Sequence, residues 1–137
     1  MTKLGMGVLL YRLFGDQETP KALNGAIGKE IAALGIQDNA LVFTFTDGTG
    51  LKLFDDGQSC CEYRYMHTDD ALDDFVGATL LDAEVCDGGE EPAEYGDVKE
   101  SQFLVITTSI GQFTVVNYNE HNGYYGGFAI AARTIED

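Results

Sequence analysis

The residues of this 137-residue chain that could do chemistry are three cysteines, two histidines and a scatter of carboxylates. Cys60 and Cys61 are adjacent, and His121 sits in the polar, aromatic and glycine-rich stretch Asn117-Tyr-Asn-Glu-His-Asn-Gly-Tyr-Tyr-Gly-Gly-Phe128. Adjacent strand residues point to opposite faces, so both sulfurs reach one zinc ion only where a turn folds them together. No Cys-x-x-Cys spacing exists, and His67, Cys86 and His121 are dispersed, so no metal and no cofactor is expected. A thiol nucleophile would need Cys60 or Cys61 beside His121, with the imidazole oriented by Asn119 or Asn122. Glu62 and Glu120 could divide acid and base roles if their surroundings separated their pKa values. Asp55, Asp56 and Glu120 lack the spacing of a calcium loop. The glycines from Gly123 onward have neither a following helix nor a lysine with which to cradle phosphate. Each arrangement is one that chance supplies readily, and buried, inert thiols are the plainer reading of the cysteines.

What must position these residues is a chain whose two halves run in parallel. Gly28 to Asp38 lies against Gly77 to Asp87, Leu41 to Gly48 against Leu104 to Gly111, Leu51 to Phe54 against Phe113 to Val116, and Asp55 to Tyr63 against Asn117 to Tyr125. A repeat of this kind fixes the fold unit. The near-alternating Leu41-Val-Phe-Thr-Phe45 followed by Asp47-Gly48 predicts a hairpin. Thr19-Pro20 is a plausible helix entry, but Asn24, Gly25 and Gly28 follow so soon that any helix there is brief. Thr68, with Asp69 and Asp70 behind it, an apolar face of Leu72, Phe75 and Val76, and Gly77 as a stop, predicts a short helix over 68–76. Asp87 to Asp97 is expected to be a mobile acidic loop. The predicted class is α+β: a mainly antiparallel sheet built from two pseudo-repeats, about 28–63 and 77–125, with the helix 68–76 between them.

Composition bounds the rest. With 45% hydrophobic residues, the chain can bury a core as a single domain over 1–137. No signal peptide is expected, and no segment approaches the roughly 20 apolar residues of a membrane helix, so a soluble cytoplasmic protein with reduced thiols is expected. Eight basic against 23 acidic residues give a formal charge of −15, which repels nucleic acid and anionic membranes. Such a surface either serves solubility or meets a basic protein. Tyr63, Tyr65, Tyr118, Tyr124 and Tyr125 could anchor such a partner, stack on a ligand ring, or fill the edge of the core.

At Gln58-Ser-Cys-Cys-Glu62, at Asp73 to Glu84 and at Asn117 to Phe128, the chain resembles a family of small bacteriophage-encoded proteins, a domain of unknown function frequent in phages of actinobacteria. The resemblance covers roughly residues 25 to 133 and brings no activity with it. It implies a phage gene expressed in the cytoplasm of an infected bacterium, where small acidic proteins often bind host factors or neutralise defence.

The aligned halves predict that the paired loops Asp55–Glu62 and Asn117–Tyr124 leave one sheet from corresponding edges and converge. The candidate binding residues are accordingly Gln58, Cys61, Glu62, Asn119, Glu120, His121, Tyr124 and Tyr125, with His121 as the residue best placed to act as a switch. The function expected from these features is non-enzymatic: an acidic binding protein that engages a host protein. The alternatives are a small-molecule or nucleotide-signal binder using the paired loops, and a cysteine- or carboxylate-based hydrolase.

Overall fold

Alternation of apolar and polar residues, which places every second side chain on one face of a strand, accounts for most of the architecture. The structure, a computed structural model, describes residues 18–57, 62–92, 97–121 and 128–135. These form one helix, α1 (Glu18–Ala26), and eight strands: β1 (Ile31–Gln37), β2 (Ala40–Phe45), β3 (Gly50–Asp55), β4 (Glu62–His67), β5 (Leu80–Pro92), β6 (Val98–Thr108), β7 (Gly111–His121) and β8 (Ile130–Ile135). All strand pairs are antiparallel, in two four-stranded sheets of order β1-β2-β3-β8 and β4-β7-β6-β5. The inner faces share one core, in which Leu41, Phe43, Leu51 and Leu53 of the first sheet join Leu104, Ile106, Phe113 and Val115 of the second.

The connections follow from turn chemistry. Asp38 and Asn39 both take positive φ, 51° and 58°, which is what a two-residue hairpin between β1 and β2 requires and what a short polar side chain tolerates. After β2, Asp47 accepts the amide and hydroxyl of Thr49 at 2.9 and 2.6 Å, with Gly48 at φ 89° between them.

Register relates the halves. Phe43 faces Leu51 as Ile106 faces Phe113, and Leu41 faces Leu53 as Leu104 faces Val115. Where the halves meet, Gly28 donates to the carbonyl of Leu80 as Gly77 donates to that of Ile31, and Ile31 donates to Ala78 as Leu80 donates to Lys29. Gly28 and Gly77 have nearly equal φ, 92° and 95°. Each half thus supplies a three-strand meander and sends its fourth strand to the other sheet: β4 pairs with β7, and β8 with β3.

Four expectations are corrected. The class is not α+β but nearly all-β, with 65% of the described residues in strands against 13% in helix. Residues 68–76 do not form a helix packed between the halves; they contain only a 3₁₀ turn over Leu72–Phe75. The Thr68 hydroxyl does accept the Asp70 amide at 3.1 Å, as a cap would, but the Thr68 and Asp70 side chains are also fastened to a strand. The Thr68 hydroxyl donates to the Thr114 carbonyl at 2.7 Å, and Asp70 accepts the Thr114 amide at 2.8 Å, so both tie this segment to β7. The α-helix is instead α1, which buries Ala22, Leu23 and Ala26 and packs mainly on β8. Third, β5 continues through Pro92 and β6 begins at Val98, so most of the expected acidic loop is strand. Bulges after Leu80 and Asp87 absorb its irregular residues, and Glu90 and Glu91 remain exposed. The 117–121 segment, also expected as loop, is the end of β7.

Candidate functional site

The inner face of the second sheet changes character half-way along its strands. On β7 the buried positions run Phe113, Val115, Asn117, Asn119, His121, and on β6 the buried Ile106 and Leu104 give way to the buried Gln102 and then the part-buried Glu100. β4 contributes Arg64 between Glu62 and the buried Met66. The same period-2 alternation that builds the apolar core therefore carries a block of amides and charges into the interior.

Arg64 organises that block. Its Nη1 donates to Asp55 Oδ1 and its Nη2 to Glu62 Oε2, each at 2.8 Å, and the three side chains are only 7%, 4% and 2% exposed. One buried cation between two buried carboxylates leaves a net negative charge, which further donors offset. The Gly57 amide reaches Asp55 Oδ1 at 2.9 Å, Asn117 Nδ2 reaches Asp55 Oδ2 at 2.9 Å, and Asn119 Nδ2 reaches Glu62 Oε2 at 3.0 Å. Desolvating charges is costly unless every lone pair is engaged in this way. Beyond the cluster, His121 Nε2 lies 2.7 Å from Glu100 Oε1.

A cavity of about 230 Å³ opens beside this cluster, lined by Asp38, Asn39, Lys52, Phe54, Asp55, Arg64, Tyr65 and Asn117. Asn117 is completely buried, and its Oδ1 has no hydrogen-bond donor among the described residues.

The outer face of the second sheet is different in kind. Tyr63 and Tyr65 stack with ring centroids 4.7 Å apart, Tyr65 and Tyr118 lie 5.0 Å apart, and the Lys99 ammonium sits 4.4 Å from the Tyr118 centroid. The Tyr65 hydroxyl donates to Glu120 Oε2 at 2.6 Å. Burial, and then this hydrogen bond and the Glu120 charge, push the Tyr65 phenol above its ordinary 10. A cavity of about 160 Å³ adjoins the row, lined by Tyr118, Lys99, Phe103 and Gly88 to Glu91 among others.

Of the residues predicted as a binding cluster, Glu62 and Asn119 are brought together on the inner face, in direct contact. His121 lies further along that face against Glu100, while Glu120 turns to the tyrosine face. Gln58, Cys61, Tyr124 and Tyr125 lie outside the described residues, as do Cys60 and Asn122 and with them the nucleophile arrangement. Cys86 is exposed rather than a buried thiol. No group of three or more histidine, cysteine or carboxylate side chains is placed to hold a metal among the described residues. The sequence reading missed Arg64 and Asn117; the available signal was the unbroken alternation from Phe113 to His121 and the placing of Arg64 in phase with Glu62 and Met66.

No helix among the described residues is long and apolar enough to cross a membrane. Neither the curated proteins nor the solved structures contain a match to the chain. A family model does match, over residues 24–130, and so covers both sheets except for β8 beyond Ile130. The chain belongs to the family described as a domain of unknown function, DUF7448.

Proposed function

We propose that this is a non-enzymatic binding protein whose acidic surface engages a basic protein, and that its contact face is the outer face of the second sheet. The observation that carries this reading is the division of labour between the two faces of that sheet. On the inner face the charges of Asp55, Glu62 and Arg64 are spent on one another at 2–7% exposure, which leaves a substrate little to bind. On the outer face Tyr63, Tyr65 and Tyr118 form a row within a chain of net charge −15. Tyrosine rows supply large contact area at small entropic cost, and an acidic surface steers a basic partner while repelling phosphate backbones. The resemblance of the chain to phage-encoded proteins supports placing that partner in the cytoplasm of an infected bacterium, as a factor of host metabolism or defence.

The test is capture from a bacterial lysate on immobilised protein, eluted along a salt gradient and compared with a Tyr65→Ala, Tyr118→Ala variant. A basic protein held by the wild type and lost from the folded variant is the expected result. Equal retention by both proteins would sink the assignment of the face.

A second reading, binding of a small molecule, is favoured by the 230 Å³ cavity and by the Asn117 acceptor beside it. That ligand would present an N–H or O–H donor to Asn117 Oδ1 and an apolar side to Phe54. Mass spectrometry of the protein released under denaturing conditions would reveal such a ligand if it co-purifies.

A further inference from the structure

We infer that the β4 end of the tyrosine row is an arginine-binding surface, on which an arginine of a basic protein segment stacks against Tyr63 in line with Tyr65 and Tyr118. This rests on the binding-protein reading above and narrows it to one side-chain chemistry and one place.

The row is a stack rather than a flat platform. Tyr63 and Tyr65 are inclined by 29° and Tyr65 and Tyr118 by 30°, so the ring faces are turned largely toward one another. A sugar, which lies flat on an outward-facing ring, finds no such ring between them. Nucleic acid could stack on tyrosine, but a chain of charge −15 opposes its phosphates.

What such a stack accepts is shown at its other end, where the Lys99 ammonium already sits over Tyr118 at 4.4 Å, a cation–π contact supplied by the chain itself. Tyr63 is 57% exposed although Tyr65 covers part of it, which leaves room for a second cation at the β4 end. Directly across the strands from Tyr63 is Glu120, which has two acceptor oxygens and uses Oε2 for the Tyr65 hydroxyl. Among the described residues β4 is an edge strand, paired on its β7 side.

These features select arginine over lysine. A guanidinium is planar, stacks on an aromatic ring and presents several donors to a neighbouring carboxylate, whereas an ammonium is a compact, strongly hydrated charge. The net charge supplies the long-range complementarity, and Tyr63 with Glu120 supplies the local one.

The experiment measures binding of labelled arginine-only and lysine-only peptides of equal length to the full chain by fluorescence anisotropy at low salt. The wild type is expected to bind the arginine peptide about 3- to 10-fold more tightly, the range of one cation–π contact at a partly exposed site. Tyr63→Ala is expected to erase that difference by weakening the arginine peptide more than the lysine peptide, and Tyr63→Phe to preserve it. Equal affinity of the wild type for both peptides overturns the arginine site but leaves the acidic-surface reading standing. A preference that survives Tyr63→Ala overturns the placement at Tyr63. Failure of both peptides to bind overturns the inference and the reading beneath it.

Discussion

Asp55, the last residue of β3, and Asn117, inside β7, occupy matching positions in the two halves, and they are hydrogen-bonded to each other, Asn117 Nδ2 donating to Asp55 Oδ2 at 2.9 Å. The two halves therefore converge through side chains as well as through the Gly28 and Gly77 backbone contacts. At this meeting point one half carries a charge and the other a neutral amide of similar shape. A second carboxylate in place of Asn117 would add another buried negative charge next to Asp55 and Glu62, which Arg64 alone could not balance.

Removing the cation is accordingly expected to be expensive. Arg64→Met leaves Asp55 and Glu62 buried without their common partner and is expected to cost about 3–5 kcal/mol, the usual penalty for breaking a buried pair from one side. The triple change Arg64→Met, Asp55→Asn, Glu62→Gln is expected to cost less than the single one, because no uncompensated charge remains. Urea denaturation of both variants measures the difference. A triple variant less stable than Arg64→Met would show that the cluster stabilises by more than charge balance.

Gly57 is required by the same cluster. A Cβ at this position would lie 2.6 Å from Arg64 Nη1 and 2.9 Å from the Ala129 Cβ, and the guanidinium cannot retreat without leaving Asp55 or Glu62. Gly57→Ala is expected to cost about 1–3 kcal/mol, as overpacking of a filled interior does. In Arg64→Met the added methyl is expected to cost less, since the crowding atom is gone; additive costs in that double-mutant cycle would argue against the contact.

Asp47 gives a prediction on pH. Its carboxyl is held down from the ordinary 3.8 to about 2 by the Thr49 hydroxyl first, then by the Thr49 amide and the nearby Lys29. A carboxyl whose value is lower in the folded state contributes stability that is present above 3.8 and is lost as pH falls from there through about 2. Carboxyl-detected NMR titration is expected to place the Asp47 midpoint near 2, and Thr49→Ala to move it upward. A wild-type midpoint at the ordinary value would mean that the turn is not formed in solution.

Tyr65 behaves in the opposite sense. Its phenol is raised, so the neutral form is favoured in the fold, and the associated stability is complete below pH 10 and is lost as pH rises further. Titration of the Tyr65 phenol, followed by NMR, is expected to place its ionisation above the ordinary 10. Glu120→Gln, which removes the charge but keeps an acceptor, is expected to bring Tyr65 back toward 10. No change in that variant would assign the shift to burial and the hydrogen bond without the charge.

The sequence by itself determined the elements whose signals are local. Alternation at Leu41–Phe45, the Asp47-Gly48 turn and the glycines that take positive φ at 28 and 77 are all properties of a few neighbouring residues, and each stands in the structure at the strand or turn its chemistry favours. The excess of carboxylates is likewise a property of composition. Tertiary structure decided what those signals leave open. Thr68 and Asp70 have the right types to start a helix and are bonded to each other as a cap would be, but both are also fastened to Thr114, 46 and 44 residues away in sequence. Glycines and acids from Asp87 to Pro92 read as loop because local preference ignores a partner strand; β6 supplies the ladder that holds them extended. The exchange of β4 and β8 between sheets could not be read either, since pairing of distant strands is set by which apolar faces can close on one core. That exchange is what carries Arg64 to Asn119 and Tyr65 to Tyr118, and with them the interior cluster and the exposed row.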